Sequence, residues 1–146
     1  TAAFLALGVC HLLTAWGLRT AATAGRVALG GGGLAALVLV ALPAPSSGGS
    51  LRHGAVVVVG FTLLMVWPVL AVNGDPAGPW ALRLAPSIAV TTLMAAGGVW
   101  FLIEMRRQGD AGVAERVVTS LQSLWPFVVA ASCLRHARRP GTAPDG

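Results

Sequence analysis

The sequence predicts an all-α protein, a polytopic bundle of five membrane-spanning helices joined by short loops. Three observations carry this expectation. Hydrophobic residues make up 55% of the 146 and charged residues only 10%, whereas a soluble domain carries about a quarter charged residues to wet its surface. The stretch 54–72, GAVVVVGFTLLMVWPVLAV, runs nineteen residues without a charge, long enough as a helix to cross a hydrocarbon core of ~30 Å. Four further apolar stretches flank it, two on each side, which makes it the middle member of the set.

In chain order, the first helix is expected over 2–18, stopped by Arg19, with a short connection over 20–26. The second, 27–42, carries Gly30, Gly31, Gly32 and Gly33. In water such a run opposes a helix by ~1 kcal/mol per glycine. In lipid, small residues let two backbones approach, so the run reads as a packing face. It lacks the Lys and Ser/Thr of a phosphate-cradling loop. The segment 43–50, PAPSSGGS, cannot continue a helix and reads as a loop.

The third helix, 54–72, follows Arg52 and His53 and ends at the turn-rich 73–80. The fourth spans 81–105, with Arg83 near its start and Pro86 in its first turns, where proline is tolerated. After the polar connection 106–114 comes the fifth, 115–134. The bundle is thus one domain, 1–134, followed by a basic tail, 135–146, expected to be disordered.

The formal charge of +5 arises from ten arginines, with no lysine, against five acidic residues. The arginines sit at helix ends rather than along one face, which argues for membrane orientation and against a nucleic-acid partner. Cys10 and Cys133 fall in apolar stretches without CxxC or Cys/His spacing, so free buried thiols are expected, with no disulfide, metal site or cofactor. The chain opens directly on a membrane-type segment without a charged n-region, unlike a signal peptide. Sequence upstream of Thr1, or a removed Met, is therefore expected.

With loops alternating sides, one side collects Arg19, Arg26, Arg83, Arg135, Arg138 and Arg139, and the other Arg52, Arg106, Arg107 and Arg116. The larger set places the C-terminus in the cytoplasm of a multi-pass cell-membrane protein.

Candidate site residues follow from the cost of polar groups in lipid. His11 lies near the middle of the first helix, where ionisable groups are costly and often functional. Arg52, His53, Glu104, Asp110, Glu115 and Arg116 share the opposite edge from the C-terminus, and a histidine with a carboxylate there could act as an acid/base pair, His53 with Glu115. The structural alternative is that these groups cap helix ends and pair with arginines, Glu115 complementing the dipole in the first turn of its helix. Thr119, Gln122, Ser123 and Pro126 fall on one face of the fifth helix, at i, i+3, i+4 and i+7. Such a face should turn inward, toward hydrogen-bond partners or a hydrated space. Trp67-Pro68 and Trp125-Pro126 place a proline inside each of two helices that run the same way.

Four stretches together resemble one family: TAAFLALGVCHLLTAWGLR, the glycine-rich helix ending ALPAPSSGGSLRH, the central helix with its WP, and AERVVTSLQSLWPFVV. The chain resembles an actinobacterial member of domain-of-unknown-function family 998, multi-pass bacterial membrane proteins with six helices. The resemblance implies that this chain supplies the last five, and that a first helix with a Thr/Ser-rich segment precedes them. It implies no activity, and it marks His11, His53, Glu115, Arg116, Trp125 and Pro126 as positions of interest without roles.

Two functional expectations result. The first is a membrane protein that binds a lipid or hydrophobic small molecule, or packs against a partner: membrane lipids, a second copy, or a sixth helix. Its ligand-contacting candidates are His11, Arg52, Glu104, Arg116, Gln122 and Trp125. The second is a membrane-embedded enzyme acting on a lipid-like substrate through His53 and Glu115. A transporter would need a polar midplane path, for which the sequence offers only His11, three threonines (Thr14, Thr62, Thr91) and the Gln122 face.

Overall fold

The computed structural model describes residues 2–42 and 50–138. It holds five α-helices: α1 (Ala2–Gly17), α2 (Thr23–Ala41), α3 (Leu51–Leu70), α4 (Leu84–Arg107) and α5 (Ala111–Ala137), with one short 3-10 turn, Trp80–Leu82, before α4. Among the described residues there is no strand. Four helices are long and apolar enough to cross a membrane, α2 through α5. Helix α1 has 16 residues, a rise of about 24 Å, so its length alone does not establish a fifth span. Residues 43–49 of the expected loop, and Arg139 with the rest of the expected tail, lie outside the described residues.

The helices alternate in direction. One end of the bundle carries the starts of α1, α3 and α5, and the other carries their ends. Contacts between neighbours record this: Gly33 meets Gly8 while Gly30 faces Ala15, and Gly32 meets Leu64 while Gly25 faces Ala71.

Helix boundaries differ from the expected ones for local reasons. Helix α3 begins at Leu51 rather than 54 because Ser50 caps it, its hydroxyl accepting from the His53 amide at 3.3 Å. Helix α2 begins four residues early, at Thr23, which puts Arg26 in its first turn. From there the guanidinium donates to the carbonyls of Ala15 (2.8 Å) and Trp16 (3.2 Å). These are terminal α1 acceptors with no helical partner, and the cation also suits the negative end of the α1 dipole. Helix α5 begins at Ala111, so Glu115 is not in its first turn, contrary to expectation, and the dipole argument for that residue fails. At its other end α5 continues through Arg135 and His136 to Ala137, so the expected tail starts later than 135.

Helix α2, rather than α3, is the most buried of the four long helices. Its glycines divide between two neighbours. A Cβ on Gly33 would lie 2.9 Å from the Gly8 carbonyl oxygen and from His11 Cβ of α1, and one on Gly32 would lie 2.5 Å from Leu64 of α3. Gly25 presses on the Ala71 backbone. The approach is reciprocated by Gly8 against Leu37 and by Gly60 against Ala35. Lipid tails give two apolar helices little reason to associate, so close backbone approach and dispersion contacts must supply it.

The core lies toward the end of the bundle opposite the α1 start. It joins Leu18, Leu29, Leu64, Trp67, Leu82 and Val129, with small residues between them. The same end is cross-tied by polar contacts. Ala22 donates to the Ala71 carbonyl (3.0 Å), Asn73 to the Thr20 carbonyl (2.9 Å), and the Ala81 amide to Ser132 Oγ (3.3 Å). Trp80 meets Trp125 edge-on at 6.2 Å. This is the closed end. Both cysteines are free; Cys10 is exposed on α1, whereas Cys133 is half-buried against the core and its Sγ accepts from the Thr20 hydroxyl at 3.6 Å.

Gly33→Ala is expected to lower stability by about 1–3 kcal/mol, the usual cost of overpacking. Gly30→Ala, whose Cβ would sit 3.6 Å from Ala15 Cβ, should be neutral or stabilising by up to ~1 kcal/mol through helix propensity. Unfolding midpoints in detergent check the pair, and equal shifts would refute the close-contact account.

Candidate functional site

Toward the other end the helices diverge around a cavity of about 140 Å³. Its walls come from all five helices. Ala35 and Ala36 of α2 with Gly60 of α3 form a wall of short side chains, and Phe61 and Phe101 are aromatic boundaries. Four polar residues line it: His53 from α3, and Glu115, Thr119 and Gln122 from α5. The α5 residues are spaced i, i+4 and i+7, which stacks them on one helix face.

Each polar side chain is tied to backbone. His53 Nδ1 lies 2.7 Å from the Leu42 carbonyl. That carbonyl belongs to the end of α2, where helical acceptors lack partners. A carbonyl only accepts, so Nδ1 carries the proton, and in the neutral ring Nε2 holds the lone pair. Thr119 Oγ1 donates to the carbonyls of Glu115 (2.8 Å) and Arg116 (3.2 Å), the back-bonding usual for a hydroxyl inside a helix. Gln122 is 3% exposed. Its Nε2 donates to the Phe61 carbonyl at 3.2 Å, pinning α5 to α3 beside the cavity.

A second opening, a groove of about 480 Å³ between α1 and α5, shares Phe4, Leu7, Glu115 and Thr119 with the cavity. It continues along Ser120, Ser123 and Leu124. Helices α1 and α5 touch only lightly, and the groove between them sets the apolar Ala3, Phe4 and Leu7 of α1 against an α5 face of Glu115, Thr119, Ser120, Ser123 and Leu124. Ser123 Oγ donates to the Thr119 carbonyl at 2.7 Å.

Of the eight acid/base and ligand-contacting candidates read from sequence, His53, Glu115 and Gln122 line this cavity, as does Thr119 of the inward face, and the other five do not. His11 is buried on the α1 face that meets Gly33, its Nδ1 2.7 Å from the Leu7 carbonyl and its Nε2 without a hydrogen-bond partner. Arg52 and Arg116 are exposed at the same end, outside the lining. Glu104 clamps the α4–α5 turn, Oε1 accepting from Trp100 (3.2 Å) and Oε2 from the Asp110 amide (3.1 Å). Gly109 leaves the room that the Glu104 carboxylate occupies. Trp125 belongs to the closed end, with Nε1 unpartnered.

His53 thus caps the end of α2 through its ring Nδ1. Phe4 and Phe101 are cavity residues that sequence reasoning missed, since nothing in an apolar run marks which aromatic will border a void. Among the described residues no group of three His, Cys, Asp or Glu could hold a metal ion.

An all-helical bundle with four membrane-length apolar helices and lipid-facing apolar surfaces defines an integral membrane protein. The chain belongs to the family described as "Protein of unknown function (DUF998)", whose model matches residues 1–132. No curated protein and no solved structure matches it. The matched span contains every residue of the cavity.

The hydrogen bonds of His53 and His11 fix the Nδ1–H tautomer when the ring is neutral, the less common form of free histidine. Nitrogen-15 NMR of histidine-labelled protein in lipid should show both rings protonated at Nδ1 under neutral-ring conditions. An Nε2–H signal from His53 would refute the helix-capping bond to Leu42.

Proposed function

We propose that the protein spans the cell membrane five times, with its C-terminus in the cytoplasm, and binds a lipid or other hydrophobic small molecule in the cavity and its lateral groove. The observation that carries this reading is that a polar-lined cavity and a lateral groove between α1 and α5 share Phe4, Leu7, Glu115 and Thr119. Volume supports dividing the ligand between them. Pockets for drug-sized ligands run to roughly 300–1,000 Å³, so a space of about 140 Å³ suits a headgroup or chain end and the groove of about 480 Å³ suits the rest.

For α1 as a fifth span, support comes from its antiparallel packing along α2, which holds it at the same depth. A helix somewhat shorter than the hydrocarbon core is accommodated by bilayer thinning. The arginines of the closed end, Arg19, Arg26, Arg83, Arg135 and Arg138, support its cytoplasmic orientation.

A second reading, an enzyme acting on a lipid-like substrate, is favoured by one observation. His53 and Glu115 line the same cavity, with His53 Nδ1 held by a carbonyl so that Nε2 could serve as a base. A chemically altered lipid that forms with wild type and not with His53→Gln would favour it over simple binding.

The binding reading is tested by native mass spectrometry of the purified protein with added lipid. Val57→Trp, which fills the cavity wall, should reduce bound lipid several-fold. Val59→Trp, on an exposed face of α3 outside the cavity, should not. Equal occupancy in both variants would overturn the proposal.

A further inference from the structure

The polar atoms of the cavity are unequal in kind. Among the described residues, most side-chain proton donors in or beside it are committed to a backbone carbonyl, and the Ser120 hydroxyl and the second Gln122 N–H are those left over. His53 Nδ1–H goes to Leu42, the Thr119 hydroxyl to Glu115 and Arg116, the Ser123 hydroxyl to Thr119, and Gln122 Nε2 to Phe61. What the lining residues retain in greater number is acceptors: His53 Nε2, the oxygens of Thr119 and Ser123, Gln122 Oε1 and the Glu115 carboxylate.

Among the described residues, Glu115 is the one carboxylate or arginine in the cavity's lining, and it lines the groove as well. The arginines of this end, Arg52, Arg106, Arg107 and Arg116, are all exposed and outside both linings. They contribute no side-chain donor to either lining.

From this imbalance we infer that the occupant is a cationic, hydrogen-bond-donating amphiphile, an aliphatic chain bearing a primary ammonium group. The inference rests on the lipid-binding reading above and specifies its ligand. An ammonium brings three donors to a site rich in acceptors, and its charge is met by the Glu115 carboxylate. A phosphate or carboxylate headgroup would instead bring acceptors to acceptors and set a second anion beside Glu115. The apolar chain lies between α1 and α5 against Phe4, Leu7 and Leu124.

The test uses the full chain in nanodiscs of zwitterionic phosphatidylcholine, with radiolabelled dodecylammonium and dodecyl phosphate at submicellar concentration. These probes share a chain and differ in headgroup. Wild type is expected to bind the ammonium probe saturably and at least tenfold more tightly than the phosphate. Glu115→Gln should reduce that preference below threefold, and Val57→Trp should weaken both probes. Because Glu115 is exposed, its substitution leaves the packing intact, which helical circular dichroism checks.

Equal binding of the two probes, or a preference for phosphate, with both still blocked by Val57→Trp, would overturn the headgroup inference and leave the binding site standing. A preference that persists in Glu115→Gln would overturn it too. Absence of saturable binding by either probe would overturn both readings. Where the expected preference is found, competition by added phosphatidylethanolamine identifies a membrane lipid as the source of the ammonium, and lack of competition identifies a free amphiphilic amine.

Discussion

The close approach of α2 to its two neighbours is the constraint from which the other features follow. With no hydrophobic drive between helices in lipid, backbones must come near enough for dense dispersion contacts. Gly33 against Gly8 and Gly32 against Leu64 permit this on two sides of one helix. Once α1 and α3 are drawn onto α2, the ends of all three are brought together. Arg26 reaches the last carbonyls of α1, and Ala22 bonds Ala71. The Trp80–Leu82 turn then fits under α5, through Ser132 and the edge-on pair of Trp80 and Trp125. The closed end is thus a product of short side chains in the second helix.

The other half of the bundle lacks those ties. Its wall residues, Ala35, Ala36 and Gly60, are too small to fill the space between diverging helices, and Phe61 and Phe101 border it without closing it. Polar side chains there obey the rule that governs all polar groups in lipid, that protons must find acceptors. The nearest acceptors are helix carbonyls, at the C-cap of α2 for His53 and within or between helices for Thr119 and Gln122. Satisfying most donors in this way leaves acceptors in the majority among the lining groups. That balance follows from local hydrogen bonding rather than from any motif.

Much of the helix pattern was legible in the chain because charged and turn-forming residues punctuate it at Arg19, 43–50, 73–80 and 106–114. Boundaries slipped where a cap or an early turn extended a helix, as at Ser50 and Ala111. The slip at Ala111 removed the dipole role expected for Glu115. Within the α5 face, spacing indicated an inward stripe, yet only Thr119 and Gln122 line the cavity while Ser123 lies in the groove. Glu104 and Trp125 read as ligand candidates from residue type alone, but each is used by its own neighbourhood, a turn clamp and an aromatic contact.

By itself the sequence determined the solvent and the element order, since a chain with 10% charged residues and five long apolar runs can satisfy its backbone in lipid only as helices. It also determined that the glycine run would pack rather than turn. Only the tertiary structure decided which helix is most buried, which end closes, and that His53, Glu115 and Gln122 from two separate helices border one space. Those outcomes depend on which backbones approach and on which carbonyl each proton finds. Both are contacts between residues distant in the chain, and neither leaves a periodic trace in it.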